Sequence, residues 1–366
     1  MKKPKTIKKL KRLKLPKPEV RHLLKATKST EERVSDALSN VPRITNDTVS
    51  DHREEVLSSA RKYIYPLQHS KHRVVRISLT LLLLVVVGFF AFTALQLYKF
   101  QSTSGFTYEV TRIVPFPVAK TGHNWVSYES YLFELRRNMH YYQTQQQANF
   151  STPDGKAQLK HLKQQALDRV IQESYVEQLA LQNHVSVSNQ TVNDQVAIVR
   201  SENHLGSSER AFNEALSEFF GWNQADFKRE LKQELLAQAV VSKLDTATNA
   251  RAQAALKQLR SGADFATLAS KTSDDNATRA AGGQYPTAIT YSNSDLAPVI
   301  IAELFKLKPG QISGVINTGY TLDIVKVISV TGNSRQAAHI QFTLAPISTY
   351  IKPLQAKQPV HQYIKF

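Results

Sequence analysis

The chain has 366 residues, 42% of them hydrophobic, which suits two or three domains with packed cores and excludes a globally disordered protein. It contains no cysteine, so a disulfide framework, a thiolate nucleophile and a cysteine metal site are all excluded. The net charge of +17 is uneven, because residues 1–76 hold roughly 20 Lys or Arg against about 8 Asp or Glu, leaving the remainder only mildly basic.

The N-terminal segment opens "MKKPKTIKKLKRLKLPKPEVRHLLKATK", interleaving basic residues with Leu while Pro4, Pro16 and Pro18 break any long helix. Residues 1–76 therefore read as a basic, largely disordered tail. Such a tail is either simply solvated or held electrostatically to anionic lipid or RNA, each basic residue contributing on the order of 1 kcal/mol near an anionic surface. A short helix is expected around "SDHREEVLSSARKYI", where Val56, Ala60 and Ile64 share a face. Residues 77–97, "ISLTLLLLVVVGFFAFTALQL", hold no charge and are long enough to cross a hydrocarbon core of about 30 Å as a helix. Lys71, Arg73 and Arg76 precede them, so the N-terminus is expected in the cytoplasm and everything beyond the span outside it, as in a single-pass protein of the cell membrane.

After the span, residues 105–122 look extended, since "YEVTRIVPFPV" is rich in strand formers. Helical patterns follow: "VSYESYLFELRRNMHYYQ", then a run with Leu159, Leu162, Ala166, Val170 and Leu179 at helical spacing, then "SERAFNEALSEFFG" closing on Gly221, then a helix starting at Asn223. Residues 101–245 are thus predicted as an all-α module whose amphipathic helices pack on one another or grip an apolar client. Beyond Leu244 helices alternate with turns and the strand "YTLDIVKVISV", giving an α+β domain over 246–345 with a small antiparallel sheet, and 346–366 form a C-terminal extension.

The order "GADFATLASKTSDD…GGQYP…LAPVIIAELFKLKPGQISGVINTGYTLDIVKV" resembles the parvulin (PpiC) type of peptidyl-prolyl isomerase domain, and the helices before it resemble the chaperone segment of SurA-like and PrsA-like export foldases. The resemblance implies binding of unfolded exported polypeptides and rotation about X-Pro amides, whose barrier is about 18–20 kcal/mol. It places Leu296 and Ile300 at the apolar substrate-binding positions, Asp275 at the acidic or thiol position, and Gly282 and Gly283 at the tight turn. Two departures follow. Asp323 stands where the family has a histidine in its last strand, and the family's first strand with its other histidine is missing before residue 262. A late segment, "AAHIQFTL" at 337–344, is expected to supply that strand from the C-terminal end, joined to "TLDIVKVIS" by a turn at Gly332 and Asn333. Ala338, Ile340 and Phe342 would face the core, and His339 would face outward to reach the cleft. Asp275, Asp323 and His339 are then the candidate catalytic residues, with His339→Ala expected to leave the domain folded. No cofactor is implied and no cluster has metal-ligand spacing. Three functions stay open: an isomerase, a degenerate clamp that only binds clients, and a scaffold whose tail recruits a polyanion.

Overall fold

The computed structural model describes residues 30–39, 44–64, 67–202 and 208–366. The basic stretch 1–29, with its expected contact to lipid or RNA, lies outside the described residues. The chain divides into two units, residues 1–86 and 87–366.

In the first unit α2 (Asn46–Ile64) forms where a short helix was expected, and α1 (Thr30–Ser39) is a further helix in a stretch read as disordered. A local cap explains α2. The Thr48 amide donates to the Thr45 hydroxyl and the Thr45 amide donates back to the Thr48 hydroxyl, satisfying donors at a helix start. Helix α3 (Leu67–Ala94) carries the apolar stretch and closes in a π turn at Leu95–Lys99. Among the described residues, His72–Lys99 is the helix long and apolar enough to cross a membrane, with a mean hydropathy of 2.5. Its last turns differ from a uniformly lipid-facing helix, because Thr93 and Leu97 are buried in protein.

The second unit starts within α3 at Val87, and its next helix is α4 (Gly105–Ile113), where an extended segment was expected. The Ser104 hydroxyl accepts from the Thr107 amide, and burial of Thr107, Val110 and Thr111 on one face overrides the strand preference of these residues. Only Pro117–Thr121 (β1) is strand, followed by β2 (Asn124–Ser127), α5 (Tyr128–Gln145), α6 (Pro153–Gln182), α7 (Asn189–Glu202), α8 (Glu209–Phe220) and α9 (Gln224–Leu244). Helix α8 ends on Gly221 at φ 67°, and Asn223 with Asp226 forms the capping box of α9. The all-α expectation is corrected by a three-stranded antiparallel sheet ordered β2–β1–β7, whose last strand comes from the far end of the chain.

The α+β part comprises α10 (Thr246–Arg260), α11 (Phe265–Thr272), a 3₁₀ turn at Arg279–Ala281, β3 (Ile289–Thr290), α12 (Pro298–Lys306), β4 (Ile316–Asn317), β5 (Thr321–Thr331) and β6 (Ser334–Thr343). Its sheet is antiparallel and ordered β3–β6–β5–β4. β5 and β6 form a hairpin in which Val325 faces His339 and Asp323 faces Gln341, turning at Gly332–Asn333 with Gly332 at φ 55°. The outward face expected for His339 does not exist. On one side Leu322, Ile324, Ala338, Ile340 and Phe342 pack on α10 and α11, and on the other Val325, Val327 and Ala337 pack beneath Tyr285, Ile289, Ile300 and Leu304. Both faces are covered around His339, so the buried polar side chains there, Asp323 and His339, must find partners inside the protein.

The extension 346–366 does not trail away. Helix α13 (Ser348–Lys357) and β7 (Val360–Gln362) return to the first core, where Ile351, Leu354 and Ile364 pack with Tyr128, Leu132, Leu167 and Tyr175.

Candidate active site

The loop after α11 is stitched to β6. The Ser273 hydroxyl accepts from the Gln341 amide, the Asp274 amide donates to the Gln341 carbonyl, and the Asp274 carboxylate accepts from the Thr343 amide and from Arg251. This leaves Asp275, one residue on, aimed at the strand's second face. The glycine pair closes the loop from the other side. The His339 amide donates to the Gly283 carbonyl at 2.8 Å, and a Cβ on Gly283, which sits at φ 79°, would lie 2.1 Å from the His339 carbonyl oxygen. Only glycine permits that approach.

Between these clamps the three residues singled out from the sequence form one row. His339 Nε2 lies 2.9 Å from Asp275 Oδ2, and its Nδ1 lies 3.2 Å from Asp323 Oδ1. Thr278 donates its hydroxyl proton to Asp275 and lies 2.9 Å from His339 Nε2, while the Thr321 hydroxyl donates to the far side of Asp323. Exposure runs in one direction along the row. Asp323 is 0% and His339 5% exposed, whereas the Asp275 side chain keeps 21%. Asp275 is therefore the member of the row open to solvent, and Asp323, placed among the catalytic candidates from the sequence, is enclosed behind the imidazole.

Burial opposes charge on His339, but the hydrogen bonds and charges of Asp323 and Asp275 outweigh it and hold the imidazole above its ordinary value. Burial likewise pushes the Asp275 carboxyl up, and hydrogen bonds from Thr278, His339 and the Ala277 amide more than reverse this, holding it below its usual range. The signs fix a pH window. A raised histidine stabilises the fold fully below its unfolded value of about 6.5, and this is lost as pH rises through the folded value; a depressed aspartate stabilises above about pH 4, and this is lost as pH falls. The difference in Tm between the wild type and His339→Gln is expected to be greatest at mildly acidic pH and to shrink through the alkaline range. A difference that stays constant across that range would mean the imidazole is never charged.

Of the apolar candidates, Ile300 is a core residue at 5% exposure and Leu296 is half-buried, so Leu296 is the one that keeps a surface open to solvent. Two residues escaped the sequence reading. The Tyr285 ring lies 4.6 Å from the His339 ring at 30°, with its hydroxyl buried and without a hydrogen-bond partner among the described residues, and burial together with the Asp323 and Asp275 charges pushes that hydroxyl's pKa up. Thr278 is the other. Its signal was its place three residues after an aspartate whose side chain caps the intervening turn through the Ala277 amide, and Tyr285 follows directly on "GGQ".

A second feature lies between the two cores. A cavity of about 840 Å³ opens among α6, α8, α9 and α13 and the ends of β5 and β6, lined by Val176, Trp222, Val241, Tyr320, Leu344 and Ile347. At its wall Arg169 binds Glu173 and Glu230, and Glu173 is pushed up to about 7 by burial and the charge of Glu230.

Residues 68–241 match the family described as the SurA-like N-terminal domain, and residues 234–329 match the PPIC-type PPIASE domain. The second match ends before β6, so the strand carrying His339 lies outside it. The chain is similar to Chaperone SurA of Methylobacillus flagellatus, with 32% identity over 117 residues, 31% of this chain and 26% of that one. It is also similar to Chaperone SurA of Albidiferax ferrireducens, with 35% identity over 130 residues, 30% of this chain and 27% of that one. The matched region thus spans about a quarter of the length of these relatives. The foldase protein PrsA from Streptococcus pneumoniae aligns at 15% identity over 64% of this chain and 82% of its own, with a TM-score of 0.20, too weak a likeness to build on.

Proposed function

The chain joins a SurA-like N-terminal domain to a domain of the PPIC, or parvulin, type of peptidyl-prolyl isomerase, and from that premise we propose that it is a membrane-anchored extracytoplasmic foldase, with its N-terminus in the cytoplasm. It binds unfolded exported polypeptides and isomerises their X-Pro bonds. The observation that carries this reading is the Asp275–His339–Asp323 row, in which the one member open to solvent is a carboxylate held below its usual range by hydrogen bonds from Thr278, His339 and the Ala277 amide.

A planar amide places partial negative charge on its oxygen through the resonance that the twisted state loses. A fixed carboxylate beside that oxygen raises the planar state more than the twisted one, which is differential binding of the kind catalysis requires. In this reading Leu296 and the Tyr285 edge of the second core hold the proline ring, and the cavity above Trp222 and Tyr320 holds the flanking chain. Strand β6 takes the place of the family's first strand, entering from the C-terminal side.

The test is a protease-coupled X-Pro peptide assay on the full chain in detergent, with Asp275→Asn beside it. The wild type is expected to accelerate isomerisation and Asp275→Asn to lose at least about tenfold, the scale of a lost electrostatic group in a site of this kind. Absence of acceleration in the wild type, with suppression of client aggregation intact, would establish the second reading, a clamp without activity. The observation favouring that second reading is the near-complete burial of His339 and Asp323, which leaves a single polar side chain of the row to meet a substrate.

A further inference from the structure

The apolar helix is longer than a bilayer needs. A hydrocarbon core of about 30 Å takes about 20 residues, whereas His72–Lys99 contains 28. Counted from the residue after Arg76, the last basic side chain before the run, 20 residues end at Gln96; counted from His72 they end at Ala91. Phe90 lies inside the hydrocarbon or at its edge in both placements. Its ring is 6.4 Å from that of Phe116, which belongs to the loop between α4 and β1. Protein is therefore fixed against the helix at membrane depth, and Tyr98 and Tyr128 secure it there by donating their hydroxyl protons to the carbonyls of Pro117 and Leu97.

That loop, Ile113-Val114-Pro115-Phe116, is apolar and open. Ile113 is 83% exposed, Pro115 is exposed and Phe116 half-exposed. Part of its backbone is paired. Val114 donates to the Val110 carbonyl, the Phe116 carbonyl accepts from the Tyr128 amide, the Pro117 carbonyl accepts from Tyr98, and Pro115 and Pro117 have no amide proton to leave bare. Each such pairing lowers the cost of approaching a region poor in water, where an unpaired backbone group costs several kcal/mol.

Resting on the membrane-anchored reading above, we infer that the loop Ile113–Phe116 is a membrane contact surface that dips into the outer interface of the bilayer and holds the folding domain against the lipid. The occupant is the bilayer rather than a client or a second copy, because the loop's depth is set by its contact with the membrane helix of the same chain. Arg112 and Lys99, both exposed, stand where lipid phosphates lie.

The absence of cysteine allows a clean test. The full chain carrying Ile113→Cys, Pro115→Cys, Leu84→Cys or Lys257→Cys is labelled with an environment-sensitive fluorophore and reconstituted into phosphatidylcholine–phosphatidylglycerol vesicles. The vesicles contain either headgroup spin-labelled or chain-brominated lipid. Labels at 113 and 115 are expected to lose most of their emission to the headgroup quencher, 84 to the chain quencher, and 257 to neither. An unquenched label at 84 would overturn the span and this inference with it. Quenching at 84, with 113 and 115 behaving like 257, would overturn this inference alone. Labels at 113 and 115 that are shielded but indifferent to either quencher would mean that protein covers the loop, which also overturns it.

Discussion

Replacing His339 by alanine is expected to destabilise the α+β domain by about 3–5 kcal/mol, the cost of removing one partner from a buried ion pair. Asp323 is wholly enclosed beneath Tyr285 and Val325, and without the imidazole its carboxylate keeps the Thr321 hydroxyl as its side-chain partner. Water cannot enter to replace the lost donor without opening the packing between β5, β6 and the second core. For a domain of this size the loss corresponds to a fall in Tm of roughly 12–40 °C. Thermal unfolding followed by circular dichroism checks it, with His339→Ala/Asp323→Asn as the companion, since removing the buried charge should recover part of the loss. A single mutant that melts within a degree or two of the wild type would show that the row is not a buried ionic network. The sequence alone suggested the opposite result, because it treated His339 as outward-facing.

That reversal marks where the sequence stopped being informative. The pairing of β5 with β6 was legible because a two-residue connection containing Gly332 permits only an antiparallel hairpin, and alternation put Ala338, Ile340 and Phe342 on one face. What lies over the other face is decided by chain arriving from 285–304, which no local pattern announces. The row of Asp275, Asp323 and His339 could be named from motif positions, but its burial and its helpers Thr278 and Tyr285 belong to tertiary structure. Helices α5, α6, α8 and α9 were readable from periodicity, Gly221 and Asn223. Helix α4 was not, since Thr, Tyr and Val read as strand formers until the Ser104 cap and the buried face are known. The small sheet was hidden for the plainest reason: β1 pairs with β7, and strands so far apart in sequence leave no trace of each other in it.

The same pairing supports the second large effect, that deleting residues 346–366 unfolds the N-terminal helical core. The deletion removes β7, and with it the strand that covers one side of β1 from Ala119 to Thr121. It removes Ile351, Leu354 and Ile364 from the first core, each buried to at least nine-tenths, and burial of such a side chain contributes about 1.5–3 kcal/mol. It also strips the Gln358 carbonyl from the hydroxyl of Tyr175 and the Lys365 carbonyl from the Gln101 side chain. Three such side chains alone approach the total of about 5–15 kcal/mol by which a domain is stable. The α+β domain should survive better, because its sheet ends at Thr343 and the buried residues of its cores all precede Ala345, the deletion taking from them only the half-buried Ile347 and Tyr350 at the edge of one. Limited proteolysis of the truncated chain should therefore cut first within α5 and α6 while leaving a protected fragment from about Thr246 onward. If the truncated chain instead melts in one transition at the temperature of the full one, the C-terminal segment is an accessory and the first core closes without it.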